Sequence, residues 1–190
     1  MKKLVFFEED YSRMTGMNEL YGEITSISLD NVLFNGGKIG GIVRPFIIVD
    51  QDRDVNTIAE DEVVDYIKNI KLKELEDERN TLINRGFESK STGHYFGFSV
   101  EEQSEFMQTL TLISAGLYFN DTVQWNTKNV GLITLTIEEF KTVVMESQQY
   151  KNNWINKCRE LSTNIQQMTN DACKMSVLKA ISLEKYGSDN

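Results

Sequence analysis

Short alternating runs of apolar and polar positions occupy the first fifty residues, and helical periods occupy most of the remaining chain. Residues 4–7 form a β-prone run, and residues 24–29 alternate as a half-buried strand does. Asp30-Asn31 reads as a turn, Val32-Leu33-Phe34 as a short strand and Asn35-Gly36-Gly37 as a second turn. Residues 42–49 predict another strand, placed at an edge or interrupted by Pro45, the only proline. Residues 1–50 thus read as a small β-module, followed by an acidic linker at 51–59. From Ala59 the period lengthens: Val63, Ile67, Ile70, Leu75, Leu82 and Ile83 form an apolar stripe. Glu60, Asp61 and Glu62 suit the positive end of a helix dipole, and Asn84-Arg85-Gly86 suits its close.

Beyond that helix the pattern predicts two tight hairpins, each leading into a capped helix. Phe87-Glu88-Ser89 and His94-Tyr95-Phe96 flank a polar turn containing Gly93. Ser99-Val100-Glu101-Glu102 is a capping box, in which the Ser99 hydroxyl takes an orphan amide and Glu102 reaches back. Phe106, Leu110, Ile113 and Leu117 then recur at helical spacing, with Gly116 expected to matter little to a helix fading near Tyr118. Thr122 to Trp125 and Gly131 to Leu135 predict the second hairpin, and Thr136-Ile137-Glu138-Glu139 a second capping box. A helix of about thirty residues comes next, longer than usual in globular domains. Thr169-Asn170-Asp171 breaks it before a last helix over 172–186 and a frayed end at 187–190. The fold class is α+β: a small N-terminal β-module followed by a mainly helical domain, 60–187, with two short β-hairpins.

The order Gly86-Phe87, Gly93-His94-Tyr95-Phe96, Ser104, Trp125-Asn126-Thr127-Lys128-Asn129 and Leu135-Thr136-Ile137-Glu138-Glu139-Phe140 carries a resemblance. It resembles a domain of unknown function that recurs in bacteriophage and prophage tail genes, often tail-fibre or baseplate genes. That family shows "GF.Y.G..F" before a helix, then "W...DN....LT..E" and a long helix. The likeness spans residues 71–181. The first hairpin departs from it, with a longer loop and Gly97-Phe98 in place of a more polar pair. The resemblance implies a non-enzymatic structural component of a tail or tail-like particle, made in the bacterial cytoplasm and carried in the virion. It brings no catalytic residue with it. The alternative is a cytoplasmic tail-fibre assembly chaperone; a glycan-binding or glycan-hydrolysing module ranks below both. The implied partners are other tail or baseplate subunits, docked through residues 1–50, further copies of the chain as a homo-oligomer, with a trimer suggested by analogy to tail fibres, and a bacterial surface glycan.

Composition narrows the classes. The net charge of −9 over 190 residues argues against unspecific nucleic-acid binding and against adhesion to anionic membranes. No apolar run is long enough to span a bilayer. Lys2-Lys3 and residues 4–7 begin like a signal peptide, but Glu8-Glu9-Asp10 ends the apolar run too early. Cys158 and Cys173 lie in helical patterns and read as reduced, at least partly buried residues.

Candidate chemistry is sparse. Asp50, Asp52, Asp54, Asn56 and Asp61 have the alternation of a calcium loop. Val55 stands where glycine is required, however, and Asp61 where Glu is usual, so a solvated acidic linker is the favoured reading. Gly36-Gly37 with Gly40-Gly41 lacks the Lys-Ser/Thr of a phosphate loop. His94, the only histidine, has no nucleophile near it in sequence. Glu101-Glu102 and Glu138-Glu139 are explained by their places in helix first turns. Structural roles are expected of Gly86, Phe87, Phe96, Ser99, Glu102, Trp125, Thr136 and Glu139. Tyr95, Phe98 and Trp154 are the candidate surface-recognition residues. No cofactor and no catalytic residue is expected.

Overall fold

The computed structural model describes residues 1–187. N-terminal strands in small sheets precede a mainly helical region with short hairpins, so the fold is α+β. The described chain divides into two compact units. The first comprises residues 1–77 together with the segment from Arg159, and the second Glu78–Cys158.

In the first unit, β1 (Lys2–Phe7) is the middle strand of a three-stranded antiparallel sheet, between β2 (Met14–Leu20) and β6 (Phe46–Asp50). Its aliphatic and aromatic run explains that place: Leu4 and Val5 are fully buried although they point to opposite faces. Lys2 pairs with Asp50 across the ladder, Nζ to Oδ1 2.7 Å. A second sheet holds β3 (Ile24–Ile27), β4 (Asn31–Phe34) and β5 (Gly37–Gly40) as a meander. The glycine-rich stretch is therefore hairpin and strand. The expected strand over 42–49 begins only after Pro45, whose ring cannot donate to a ladder. The Pro45 carbonyl instead accepts from Phe7 N at 2.9 Å.

The β-module does not stand alone. α1 (Glu60–Arg85) and α3 (Ile137–Gln167) each contribute residues to both units. Phe46 meets Tyr66 of α1 edge-on at 6.1 Å. The Leu29 amide donates to Glu74 Oε1 at 2.7 Å, and buried Lys71 pairs with Glu74 Oε2 at 3.3 Å. The segment after α3 closes the unit. Tyr11 donates from its hydroxyl to the Cys173 carbonyl, and Lys68 Nζ donates to the Met168 carbonyl at 2.7 Å. Lys179, on α4 (Met175–Ala180), reaches Asp30 at 2.6 Å and the Ile42 carbonyl. This packing runs differently from the expected division at 50 and 60: residues 1–50 share a unit with most of α1 and with the segment from Arg159.

The last helix, expected to be continuous over 172–186, is two pieces, α4 and α5 (Leu183–Gly187), because Ile181 is extended between them. Cys158 and Cys173 are buried, and neither forms a disulfide among the described residues. The remainder of the expected frayed end, 188–190, lies outside the described residues. Among the described residues no helix is long and apolar enough to cross a membrane.

Candidate functional site

The second unit holds the candidate site. Gly86, at φ 101°, ends α1 and turns the chain into β7 (Phe87–Glu88), which pairs with β8 (Tyr95–Phe96). An added Cβ at Gly86 would overlap the Phe96 carbonyl oxygen, so the junction requires glycine twice over. Ser99 caps α2 (Val100–Ser114) in a complete capping box: Glu102 N donates to Ser99 Oγ at 3.3 Å and Ser99 N to Glu102 Oε2 at 2.7 Å. At its other end Leu117 N bonds the Leu112 carbonyl and Gly116 N the Ile113 carbonyl, with Gly116 at φ 69°. That is a glycine-closed C-cap, so Gly116, expected to matter little, is what stops the helix. The second hairpin, β9 (Thr122–Thr127) and β10 (Gly131–Thr136), leads into α3 through a box of the same kind. Thr136 N donates to Glu139 Oε2 at 2.8 Å and Glu139 N to Thr136 Oγ1 at 3.2 Å. The Thr136 amide, and after it the Thr136 hydroxyl at 2.9 Å, donate to the Glu139 carboxylate and hold it below its usual range.

Between these elements lies an aromatic core. Trp125 is 8% exposed, stacks on Phe106 at 4.2 Å and tilts against Phe140 at 5.5 Å. Phe87 and Phe96 stack at 5.7 Å. Phe98, expected as a surface-recognition residue, is fully buried and meets Phe87 edge-on at 5.7 Å. The reason is periodic: two residues along an extended chain returns to the same face, so Phe98 follows Phe96 inward. Trp154 is half-buried, edge-on to Tyr150, with the Lys157 ammonium 5.0 Å from its ring centre. Tyr95 is half-buried too; its hydroxyl donates to the carbonyls of Arg85 and Gly86, both at 3.2 Å. Its backbone joins the hairpins: the Tyr95 amide donates to Asn129 Oδ1 at 3.0 Å, and Lys128 N donates to the Tyr95 carbonyl at 2.8 Å.

The acidic loop of the first unit does not converge. Asp50 is held by Lys2, Asp54 accepts from the Asn56 amide and side chain at 3.0 Å, and Asp61 accepts from Asn170 at 2.7 Å. Val55 opens a single 3-10 turn, Val55–Thr57, that Asp54 caps. Among the described residues no group of three or more His, Cys, Asp or Glu side chains is placed to hold a metal ion. The His94 carbonyl completes the first hairpin's turn, accepting from Ser89 N at 2.9 Å.

One cleft in the second unit combines apolar and hydrogen-bonding walls. It encloses about 340 Å³ beside the first hairpin, and its lining includes Tyr95, Tyr150, Glu88, Glu146, Gln149 and Asn153. Glu146 is clamped to the hairpin turn by Ser91, whose amide and hydroxyl donate at 3.0 and 3.2 Å. Tyr150 donates to the Leu82 carbonyl at 2.6 Å and stacks on Phe87; burial pushes its phenol above the usual value. Of the lining, sequence reasoning singled out Tyr95 as a recognition residue but missed Glu146, Gln149 and Asn153. Their spacing of three and four on one helix is a legible signal of a shared polar face.

A family model described as "Domain of unknown function (DUF4376)" matches residues 66–177. Neither the curated proteins nor the solved structures contain a match to this chain.

Proposed function

The chain belongs to the DUF4376 family, and from the sequence resemblance described above we propose that it is a non-enzymatic structural component of a bacteriophage tail or tail-like particle, in the fibre or baseplate that adsorbs to the host. The observation that carries this reading is where the residues of the sequence resemblance lie. Gly86 turns the chain, Phe87, Phe96 and Trp125 fill the core, and Ser99 with Glu102 and Thr136 with Glu139 cap the two long helices of the second unit. They are used to make shape, which suits a scaffold subunit. The outermost strands of the first unit's sheets, β2 and β6 in one and β3 and β5 in the other, pair with one strand each, and such edges suit docking to neighbouring subunits or to further copies of the chain.

The test is quantitative mass spectrometry of gradient-purified particles against the cytosol of the producing cells. A fixed stoichiometry in the particle supports the proposal. A chain present in the cytosol during assembly and absent from finished particles makes it an assembly chaperone instead, and a chain associated with neither overturns the tail setting.

A further inference from the structure

We propose that the cleft beside the first hairpin binds a neutral sugar. Its volume of about 340 Å³ lies at the lower end of the range for small-molecule sites, about 300–1,000 Å³. That is room for a ligand of one or two small rings.

The walls define the ligand's chemistry. Tyr95 makes no ring–ring contact among the described residues, and its hydroxyl is already spent on the carbonyls of Arg85 and Gly86. What it offers the cleft is ring surface, which suits the C–H face of a pyranose. Around it stand Glu88 and Glu146, which accept hydrogen bonds, Gln149 and Asn153, which donate and accept, and Lys90, which donates. Forked groups of both kinds match vicinal hydroxyls, each of which also donates and accepts. A purely apolar ligand would strip water from five hydrogen-bonding side chains and return nothing. An anionic ligand would face two carboxylates against one ammonium, in a chain of net charge −9.

The inner wall of the site is also built before any ligand arrives. Ser91 fixes Glu146, the Leu82 carbonyl and the Phe87 ring fix Tyr150, and two carbonyls fix Tyr95. Side chains already ordered cost little further entropy on binding. Glu88, Lys90, Gln149 and Asn153 are exposed at the rim, so they can meet a ligand without disturbing the core. Sugar binding here is independent of the tail setting, and the purified chain in solution is enough to test it.

The experiment titrates the full chain, labelled with ¹⁵N, with glucose, galactose and N-acetylglucosamine in turn, and with inorganic phosphate as the anionic control. At least one sugar is expected to give saturable amide shifts at Glu88, Ser91 and residues 146–153, with a dissociation constant on the order of 1 mM. The double variant Gln149→Ala, Asn153→Ala, exposed at both positions, should keep the wild-type melting temperature and weaken that binding about tenfold or more. Saturation by none of the three sugars, binding unchanged in the double variant, or equal saturation by phosphate at the same amides would each overturn the proposal.

Discussion

Gly86 and Gly97 differ in what a methyl group would strike, and that difference can be measured. At Gly86 the new Cβ would overlap the Phe96 carbonyl and sit 3.1 Å from the Gly97 Cα, all of it backbone, on a residue at φ 101°. A strained dihedral costs about 1–3 kcal/mol and the overlap with backbone adds to it, so Gly86→Ala should lose about 3 kcal/mol or more. At Gly97 the methyl would fall on the Glu102 carboxylate, the far end of a flexible side chain. Glu102 can swing away, but it then abandons the Ser99 amide it accepts from at 2.7 Å. Losing a cap costs about 1 kcal/mol. In a Glu102→Ala background that bond is already gone. There Gly97→Ala should be neutral or stabilise by about 0.5 kcal/mol, because it narrows the unfolded ensemble. The cost of Gly97→Ala should therefore vanish or reverse with the background, a coupling of about 1–1.5 kcal/mol. Urea unfolding followed by tryptophan fluorescence suits the cycle, since Trp125 and Trp154, the chain's two tryptophans, both lie in the second unit. Equal costs for Gly97→Ala in both backgrounds would mean that the Glu102 carboxylate is not the obstacle. A Gly86→Ala protein as stable as Gly97→Ala would mean that the backbone at the α1–β7 junction yields freely.

Trp125→Ala should destabilise the second unit by about 3–5 kcal/mol, read as a drop in urea midpoint. A protein of unchanged stability would mean that the stacked ring does not support the core. Burial raises the Tyr66 phenol from 10.0 to about 12. The unfolded chain therefore ionises first: stability is intact below pH 10 and falls as the pH rises toward about 12. Tyr66→Phe should flatten that fall in urea midpoints measured across the window, and an unchanged slope would remove burial as the cause. A fragment of residues 78–158 should unfold cooperatively on its own by circular dichroism. A fragment of residues 60–187 loses the Phe46 ring, the Tyr11 anchor and the Asp30 partner of Lys179, so it should self-associate in sedimentation. Finally, a chelator should leave the melting temperature of the full chain unchanged, because Asp50, Asp54 and Asp61 already have partners; a clear decrease would revive the loop as a calcium site.

The features legible in the sequence are local ones. A capping box is four consecutive residues, so Ser99 with Glu102 and Thr136 with Glu139 could be placed from the chain alone. The Trp125 hairpin and the long α3 likewise announce themselves through β-branched pairs and sustained helical period. β2 escaped because it lies at a sheet edge and fully buries only Leu20, while Met14 and Met17 face solvent, so its seven residues carry almost no alternation. Gly116 was passed over because its function depends on a C-cap whose hydrogen bonds span five residues. The cleft was out of reach for another reason. Tyr95 and Glu146 belong to elements about fifty residues apart, and only the Ser91 clamp shows that they share a wall.

The first unit is assembled from both flanks of the second, and that has a consequence for synthesis. Tyr11 donates to a carbonyl 162 residues further along the chain, and Asp30 waits for a lysine 149 residues downstream. At roughly 5–20 residues per second, the ribosome needs about 8–30 s to deliver the residue that Tyr11 requires. The second unit is complete in sequence at Cys158, about 1–3 s earlier at the same rate. The strands made earliest thus stay unfinished the longest, with Tyr11 and Asp30 still lacking the partners that are made last. Nascent-chain holding factors would find their natural target in that interval, and slowing translation after Cys158 should lower the yield of native protein more than slowing it before Glu78.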